Sequence, residues 1–203
     1  MHVPRHARSL TELDEEELGR IAEAWRQRVE AARSEGFAYV HAFVNEGREA
    51  GASLPHSHSQ LVWLREPPPA VAAESGGKCG LCSVLSDRSN YEVAARDGLV
   101  LLAAPAGRLP YELLLAPTEH TGERAFESEL LPVALGLLGE AIRRLHAVAG
   151  AVPLNAWLHD GTHWHIEIVP RLSVLASIEL GAGIYVNTMP PEKAAAALRE
   201  VAH

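Results

Sequence analysis

Apolar side chains recur at helical spacing in two long stretches of the chain. The first stretch runs from about Ser9 to Arg33, and its apolar stripe consists of Leu18, Ile21, Ala22, Trp25 and Val29. The second covers residues 127–148, and its stripe consists of Leu131, Leu135, Leu138, Ile142 and Leu145. Both stripes predict amphipathic helices that pack on a core. Ser9 and Glu12 fit a capping box at the start of the first helix.

Outside these helices, short runs of β-branched, aromatic and aliphatic residues predict strands. They cover residues 37–44, 98–104, 111–116 and a segment that reaches residues 163–169. Another strand is expected at residues 55–64. Strands and helices in this order, without the glycine fingerprint of a dinucleotide-binding fold, predict an α+β protein with a mainly antiparallel sheet.

The chain contains one break in composition and one internal repeat. Residues 66–78 are rich in Pro, Gly and Ser and predict a linker between a first unit, residues 1–65, and a second unit, residues 79–203. Two parts of the chain share one order of features. In the first, His6 is followed by a helix and by a strand with His56 and His58. In the second, His120 is followed by a helix and by a strand with His163 and His165, which indicates duplicated units. In the second unit, candidate strands and a cysteine pair precede His120. We therefore expect the first unit to lack its N-terminal part.

Composition narrows the classes of function. Hydrophobic residues make up 47% of the 203 residues, enough for a substantial core. The net charge of -8 argues against electrostatic capture of nucleic acid or anionic lipid. No apolar run approaches the ~18 residues of a membrane span, and no export signal is recognisable. The sequence predicts a cytoplasmic protein.

The most informative segment is residues 45–60, in which a turn of small residues precedes two histidines and a glutamine. If residues 55–64 are extended, His56, His58 and Gln60 point to one face and share a pocket. Alternating polar residues also mark the solvent face of an ordinary strand. That face usually carries Thr, Lys or Glu, whereas histidine changes its charge near neutral pH, which favours a reactive centre.

Two cysteines, Cys79 and Cys82, stand three positions apart. Without an export signal, a pair this close indicates a metal clip or a redox pair. Because a zinc site normally takes four ligands, the others are expected among the histidines.

The motifs at residues 45–60, 163–171 and 178–187 together resemble the galactose-1-phosphate uridylyltransferases and their relatives in the histidine-triad superfamily. The resemblance implies that His58 is a nucleophile and that Gln60 hydrogen-bonds the phosphoryl group. It also implies that Asn45, Gly51 and Ser53 surround the nucleotide phosphates. The implied reaction is ping-pong transfer of a nucleoside monophosphate from a nucleoside diphosphate sugar to a sugar phosphate, through a nucleotidyl-histidine. A neutral imidazole is a competent nucleophile at neutral pH.

The same resemblance implies metal ligands. In the second unit they are all present and predict zinc, the ligands being Cys79, Cys82, His120 and His163. In the first unit, His6 and His56 match two ligands, but the cysteines are absent, so that site is half-built. His159, His165 and Glu167 are expected to make supporting hydrogen bonds.

Substrate and assembly stay open at this point. Glu179 matches a residue that contacts sugar hydroxyls, whereas Tyr185 replaces a second polar sugar ligand, which disfavours galactose. Phosphorolysis of an ADP-sugar or of a dinucleoside polyphosphate is an alternative, as is a zinc-stabilised nucleotide-binding module without turnover. Metal-dependent hydrolysis at His56 and His58 is a weaker one, because no obvious carboxylate accompanies them. The open sheet edge of a truncated first unit favours a homodimer.

Overall fold

The computed structural model describes residues 1–74 and 76–201. Within this part of the chain, seven strands form one antiparallel sheet in the order β2-β1-β6-β7-β5-β4-β3. The strands are β1 Tyr39–Glu46, β2 Gln60–Leu64, β3 Glu92–Arg96, β4 Leu99–Ala103, β5 Leu113–Pro117, β6 Leu154–His159 and β7 His165–Pro170. The predicted α+β class with an antiparallel sheet is confirmed.

The helices described are α1 Glu15–Ser34, α2 Pro69–Ala73, α3 Gly80–Ser86, α4 Leu131–Ala149, α5 Ser177–Ala182 and α6 Pro191–Glu200. Three of them, α1, α4 and α6, bury the main core against one face of the sheet, whereas α3 packs on Val100 and Leu102, which alternate with the core-facing residues of β4. α1 and α4 pack against each other, and every residue of the two predicted stripes is buried. Both predicted helices are therefore confirmed, and their apolar faces form the centre of the core.

The start of α1 differs from the prediction. Asp14 is the N-cap: its carboxylate accepts from the Glu17 backbone N–H, and the Glu17 side chain accepts from the Asp14 backbone N–H. Ser9 instead caps a separate 3-10 turn, Leu10–Glu12. The capping box predicted for Ser9 and Glu12 was therefore wrong, because that turn ends before the helix begins.

One strand that the sequence pattern did not separate joins the two predicted units. β6 pairs with β1 on one side and with β7 on the other, so strands from residues 1–65 and 79–203 share a continuous sheet. Within residues 66–78, α2 forms a short helix with Val71 buried. The division into two units stays a prediction.

Strand alternation gives the sheet two unlike faces. Val40, Ala42 and Val44 of β1 are buried in the core. The alternate residues of β1, which are His41, Phe43 and Asn45, are only partly buried.

None of the helices in the described part of the chain is long and apolar enough to cross a membrane.

Candidate functional site

A cavity of about 830 Å³ lies where β1 ends. Its walls come from the loop after β1, from the histidine motif, from the start of the chain and from the end of α4. The polar and charged residues that line it are Arg8, Ser9, Asn45, Glu46, Arg48, Ser53, His56, Ser57, His58 and His146. The size suits a small molecule, and the polar side chains among the lining residues could fix its orientation.

The histidine motif enters this cavity as a loop, not as a strand. β2 begins only at Gln60, so the strand predicted from residue 55 was wrong for its first five positions. The alternation argument therefore does not apply to His56 and His58. Both line the cavity, whereas Gln60 is exposed at the start of the strand and is not among the lining residues.

The beginning of the chain holds the motif loop in place. The Ser57 N–H donates to the Ala7 carbonyl at 2.7 Å, and the His2 N–H donates to the Ser57 carbonyl at 3.0 Å. The ring of His56 donates through Nε2 to the Val3 carbonyl at 3.0 Å. The first two bonds occupy both backbone groups of Ser57, so these groups cannot pair with a neighbouring strand as a continuation of β2 would require.

His58 is buried and has a defined orientation. Its Nδ1 lies 2.8 Å from the His56 carbonyl oxygen, and because a carbonyl can only accept, Nδ1 carries the proton. Nε2 is then the nitrogen with the free lone pair, and this buried atom has no hydrogen-bond partner within the described residues. In the neutral imidazole this arrangement leaves Nε2 unprotonated, the form that a nucleophile needs.

The neighbouring imidazole of His2 does not add charge to the site. Its Nδ1 lies 2.8 Å from the Ser57 hydroxyl. Burial, together with the positive N-terminus, lowers the pKa of His2 to about 3. His2 is therefore neutral at neutral pH and acts as a hydrogen-bonding partner of the motif.

The loop between β1 and the motif is held by Asn155 of β6. The Asn155 amide donates to the Asn45 side-chain oxygen and to the Ala50 carbonyl, each at 2.8 Å. Gly47, with φ 87°, lies so close to Pro153 that a Cβ there would come within 2.9 Å of it. The loop is thus fixed against β6, a support that sequence reasoning missed because Asn155 lies far from the motif.

Two backbone N–H groups of this loop are already used within the loop and cannot donate to a ligand. The Gly51 N–H donates to Arg48 and the Ala52 N–H to Gly47, so both are used within the loop. Among the described residues, the Ser53 N–H has no such acceptor. Asn45 and Ser53 line the cavity with His58, whereas Gly51 and Glu179 are not lining residues.

Glu179 lies on α5, away from this cavity. Its carboxylate accepts from the Ala176 N–H at 2.9 Å and so closes the first turn of that short helix. The surrounding segment exposes large apolar side chains, which are Leu172, Val174, Ile178, Leu180, Ile184, Tyr185 and Val186. Within this chain, Glu179 and His58 belong to separate surfaces.

A second polar centre brings the four predicted metal ligands together. Cys79 caps α3, Cys82 lies in its first turn, His120 follows β5 and His163 precedes β7. One candidate ligand atom from each residue lies within 4.8 Å of every other. The Cys82 sulfur is 3.3 Å from His120 Nδ1 and 3.5 Å from His163 Nδ1, and the Cys79 sulfur is also 3.5 Å from His163 Nδ1. These four residues could hold a metal ion.

The distances and the protonation pattern both fit a tetrahedral ion. Zinc bonds of about 2.3 Å to sulfur and about 2.1 Å to nitrogen place neighbouring ligands about 3.5 Å apart. His163 Nε2 donates to the Pro117 carbonyl at 3.0 Å, which leaves Nδ1 as the free nitrogen. Burial lowers the pKa of His163, which favours the neutral imidazole that coordination requires.

A further group, Glu74, His159 and His165, also has its ligand atoms within 4.8 Å of one another. Here the ring of His159 is already engaged. Its Nδ1 donates to Glu74 at 2.7 Å, and its Nε2 accepts from the Trp157 indole at 3.1 Å. Glu167 bonds Arg108 instead. For His159 the supporting hydrogen bonds expected from the sequence are present.

His6 and His56 are neighbours, with ring centroids 5.5 Å apart. Among the described residues, they do not belong to a group of three or more candidate ligands. The half-built first metal site stays a prediction.

Comparison with known proteins agrees with the resemblance found in the motifs. Residues 1–68 match the family described as the N-terminal domain of galactose-1-phosphate uridyl transferase. The crystal structure of a galactose-1-phosphate uridylyltransferase-like protein from Arabidopsis thaliana is 30% identical, with a TM-score of 0.86. The match covers 98% of this chain and 74% of that one. The chain belongs to the galactose-1-phosphate uridylyltransferase family.

Within this family, the chain is also similar to ADP-glucose phosphorylase of Arabidopsis thaliana. The identity is 30% over 98% of this chain, which spans 62% of the length of that relative. A crystal structure of an ADP-glucose phosphorylase from the same organism with bound ADP-glucose has a TM-score of 0.87 at 29% identity, covering 100% of this chain and 72% of that one. The resemblance predicted from the motifs is confirmed for family and fold.

Proposed function

We propose that the protein is a nucleotidyltransferase that uses His58 as its nucleophile. The observation that carries the proposal is the orientation of this imidazole: Nδ1 is hydrogen-bonded to a carbonyl, and Nε2 has no partner among the described residues, in a residue that lines the cavity. Membership of a family with nucleotidyl-transferring relatives supports the same reaction class.

The reaction consists of two balanced steps. The lone pair of His58 Nε2 attacks the α-phosphorus of a nucleoside diphosphate sugar, an N–P bond forms, and the P–O bond to the β-phosphate breaks. The sugar 1-phosphate leaves with that electron pair. An oxygen of a phosphorylated acceptor, a hexose 1-phosphate or phosphate itself, then attacks the same phosphorus, and the N–P electrons return to Nε2.

Side chains around His58 can meet the charge that develops on the phosphoryl oxygens. Asn45 and Ser53 line the same cavity, and the Ser53 N–H has no acceptor among the residues that the structure describes. Fixed donors of this kind each contribute roughly 3 kcal/mol of transition-state stabilisation. Contact of Gln60 with the phosphoryl group, and of Gly51 and Glu179 with substrate, stay predictions.

The test is intact-mass analysis after incubation with ADP-glucose and, separately, UDP-glucose. We expect a mass increase of one nucleoside monophosphate that mild acid reverses, since a phosphoramidate is acid-labile. Similarity to ADP-glucose phosphorylase favours the adenylyl adduct, followed by its discharge on addition of phosphate. A folded protein that binds nucleotide but forms no adduct with either sugar would support a binding module without turnover.

For the cysteine and histidine cluster we propose zinc, held by Cys79, Cys82, His120 and His163. Two thiolates and two imidazoles form a closed tetrahedral set with no position left for substrate. The ion would therefore stabilise the fold by tying α3 to the ends of β5 and β7.

We further propose a homodimer. β2 is an edge strand of the sheet. The segment at residues 172–186 exposes large apolar side chains. The segment carries Glu179, the sugar-side residue implied by the family. A second copy that packs the rim of its cavity on this segment would receive that carboxylate.

Replacement of Leu180, which is 74% exposed, by Glu is expected to convert the dimer to a monomer. Sedimentation at several concentrations measures this. The matched control is Ala24→Glu, which adds the same charge at an exposed apolar residue of α1, outside both the segment and the cavity. A wild-type protein that stays monomeric at high concentration would exclude the dimer.

A further inference from the structure

Two arginines in the wall of the His58 cavity have no ionic partner. Arg8 and Arg48 both line the cavity, and neither guanidinium makes a salt bridge or a hydrogen bond within the described residues. Many other arginines of this acidic chain are paired, for example Arg5 with Glu17 and Arg124 with Asp160. Two free guanidinium groups in one cavity of a protein with net charge -8 indicate an anionic ligand.

The backbone holds both arginines while their side chains stay free. The Arg8 N–H donates to the Glu12 carboxylate at 3.1 Å, in the segment that also binds the histidine motif. Arg48 lies in the 3-10 turn Arg48–Ala50, which Asn155 holds through the Ala50 carbonyl. The two guanidinium groups therefore reach the cavity from two separately fixed segments.

The carboxylate of Glu46 lies in the same wall, but it offsets the positive charge of the two arginines only weakly. Glu46 lines the cavity, but it accepts a hydrogen bond from the Ser9 hydroxyl at 2.7 Å, and burial raises its pKa. The side chains of the cavity thus carry an excess of positive charge beside a nucleophile. Guanidinium groups match phosphate oxygens in bidentate geometry.

We propose that Arg8 and Arg48 form the subsite for the phosphate that does not become attached to His58. This assignment rests on the proposed function and deepens it. In the first step the arginines hold the β-phosphate, which leaves as part of the sugar 1-phosphate. In the second step they hold the phosphate of the acceptor in the same place, so one subsite serves the leaving group and the attacking group.

If Arg8 and Arg48 bind the β-phosphate, the affinity for a nucleotide should depend on whether it carries that phosphate. The wild-type protein is expected to bind ADP at least about tenfold more tightly than AMP, and the same holds for UDP against UMP if uracil is the base. Charge-assisted hydrogen bonds of this kind are each worth roughly a factor of ten or more in affinity. In Arg8→Ala/Arg48→Ala the ratio falls towards one, because both groups that recognise the β-phosphate are gone.

Titration calorimetry with the full chain measures the ratio, and turnover is not needed. Arg28→Ala removes another exposed arginine, on α1 and outside the cavity, and should keep the wild-type ratio. Arg8→Lys/Arg48→Lys should retain part of it. An unchanged ratio in the double alanine variant would overturn the assignment, as would a wild-type protein that binds ADP and AMP equally or binds neither.

The outcome is separable from that of the proposed function. If the ratio falls in the variant but the wild type forms no adduct, the phosphate subsite stands and His58 transfer fails. If the wild type forms the adduct and the double variant needs at least about tenfold more phosphate to discharge it, both stand.

Discussion

Replacement of His58 by Asn is expected to abolish nucleotidyl transfer while leaving nucleotide binding nearly intact. The asparagine amide can still donate to the His56 carbonyl, which is the bond that orients the imidazole, but it offers no nucleophilic nitrogen. Loss of a nucleophile typically costs at least ~10⁴-fold in rate. Single-turnover formation of the covalent adduct, followed by intact mass, measures the loss directly.

His41→Asn is the matched control for this substitution. His41 lies on β1, stacks with Tyr39 and Phe43, and is not a lining residue of the cavity. The control should form the adduct at close to the wild-type rate, and both variants should bind ADP. An adduct that forms equally well in His58→Asn would remove His58 as the nucleophile.

The second large effect is expected at the cysteine and histidine cluster. We expect one zinc ion per chain, and Cys79→Ser should lose it, because the hydroxyl is a much poorer ligand than a thiolate. Loss of the ion should cost roughly 3 kcal/mol or more of unfolding free energy, which lowers the melting temperature by about 10 °C. Elemental analysis and thermal unfolding measure the two quantities.

Ser83→Ala provides the comparison for that variant. Ser83 lies on the same short helix, next to Cys82, and is exposed. This change should keep the metal and shift the melting temperature by no more than a degree or two. A wild-type protein that is purified without metal and gains no stability on addition of zinc would contradict the prediction.

Local patterns were sufficient for the helices and for the metal cluster. The stripes of α1 and α4 follow from helical periodicity, and both are buried. The cluster followed from the family motifs, which supplied four candidate ligands from three regions of the chain: the cysteine pair, His120 and His163. The pattern could not identify β6 as a separate strand, although Leu154, Ala156 and Leu158 alternate there and are buried.

The conformation of the motif could not be predicted, because it depends on partners remote in sequence. A strand was expected from Pro55 on alternation alone, but the Ala7 carbonyl and the His2 N–H take the backbone hydrogen bonds of Ser57 that a neighbouring strand would have taken. Arg8 and Arg48 were missed for a related reason. Free surface arginines have no distinctive spacing, and only the fold brings these two to one cavity.

The contact between the first residues and the motif has a consequence for the dynamics of the site. A few hydrogen bonds join residues 2–7 to residues 56–58, whereas the sheet behind them is held by long ladders. Detachment of this segment is therefore a local opening that costs far less than global unfolding. Amide hydrogen exchange at Ser57 should be faster than in β6. The position of His58 would thus depend on an N-terminal segment that can detach locally while the rest of the molecule stays folded.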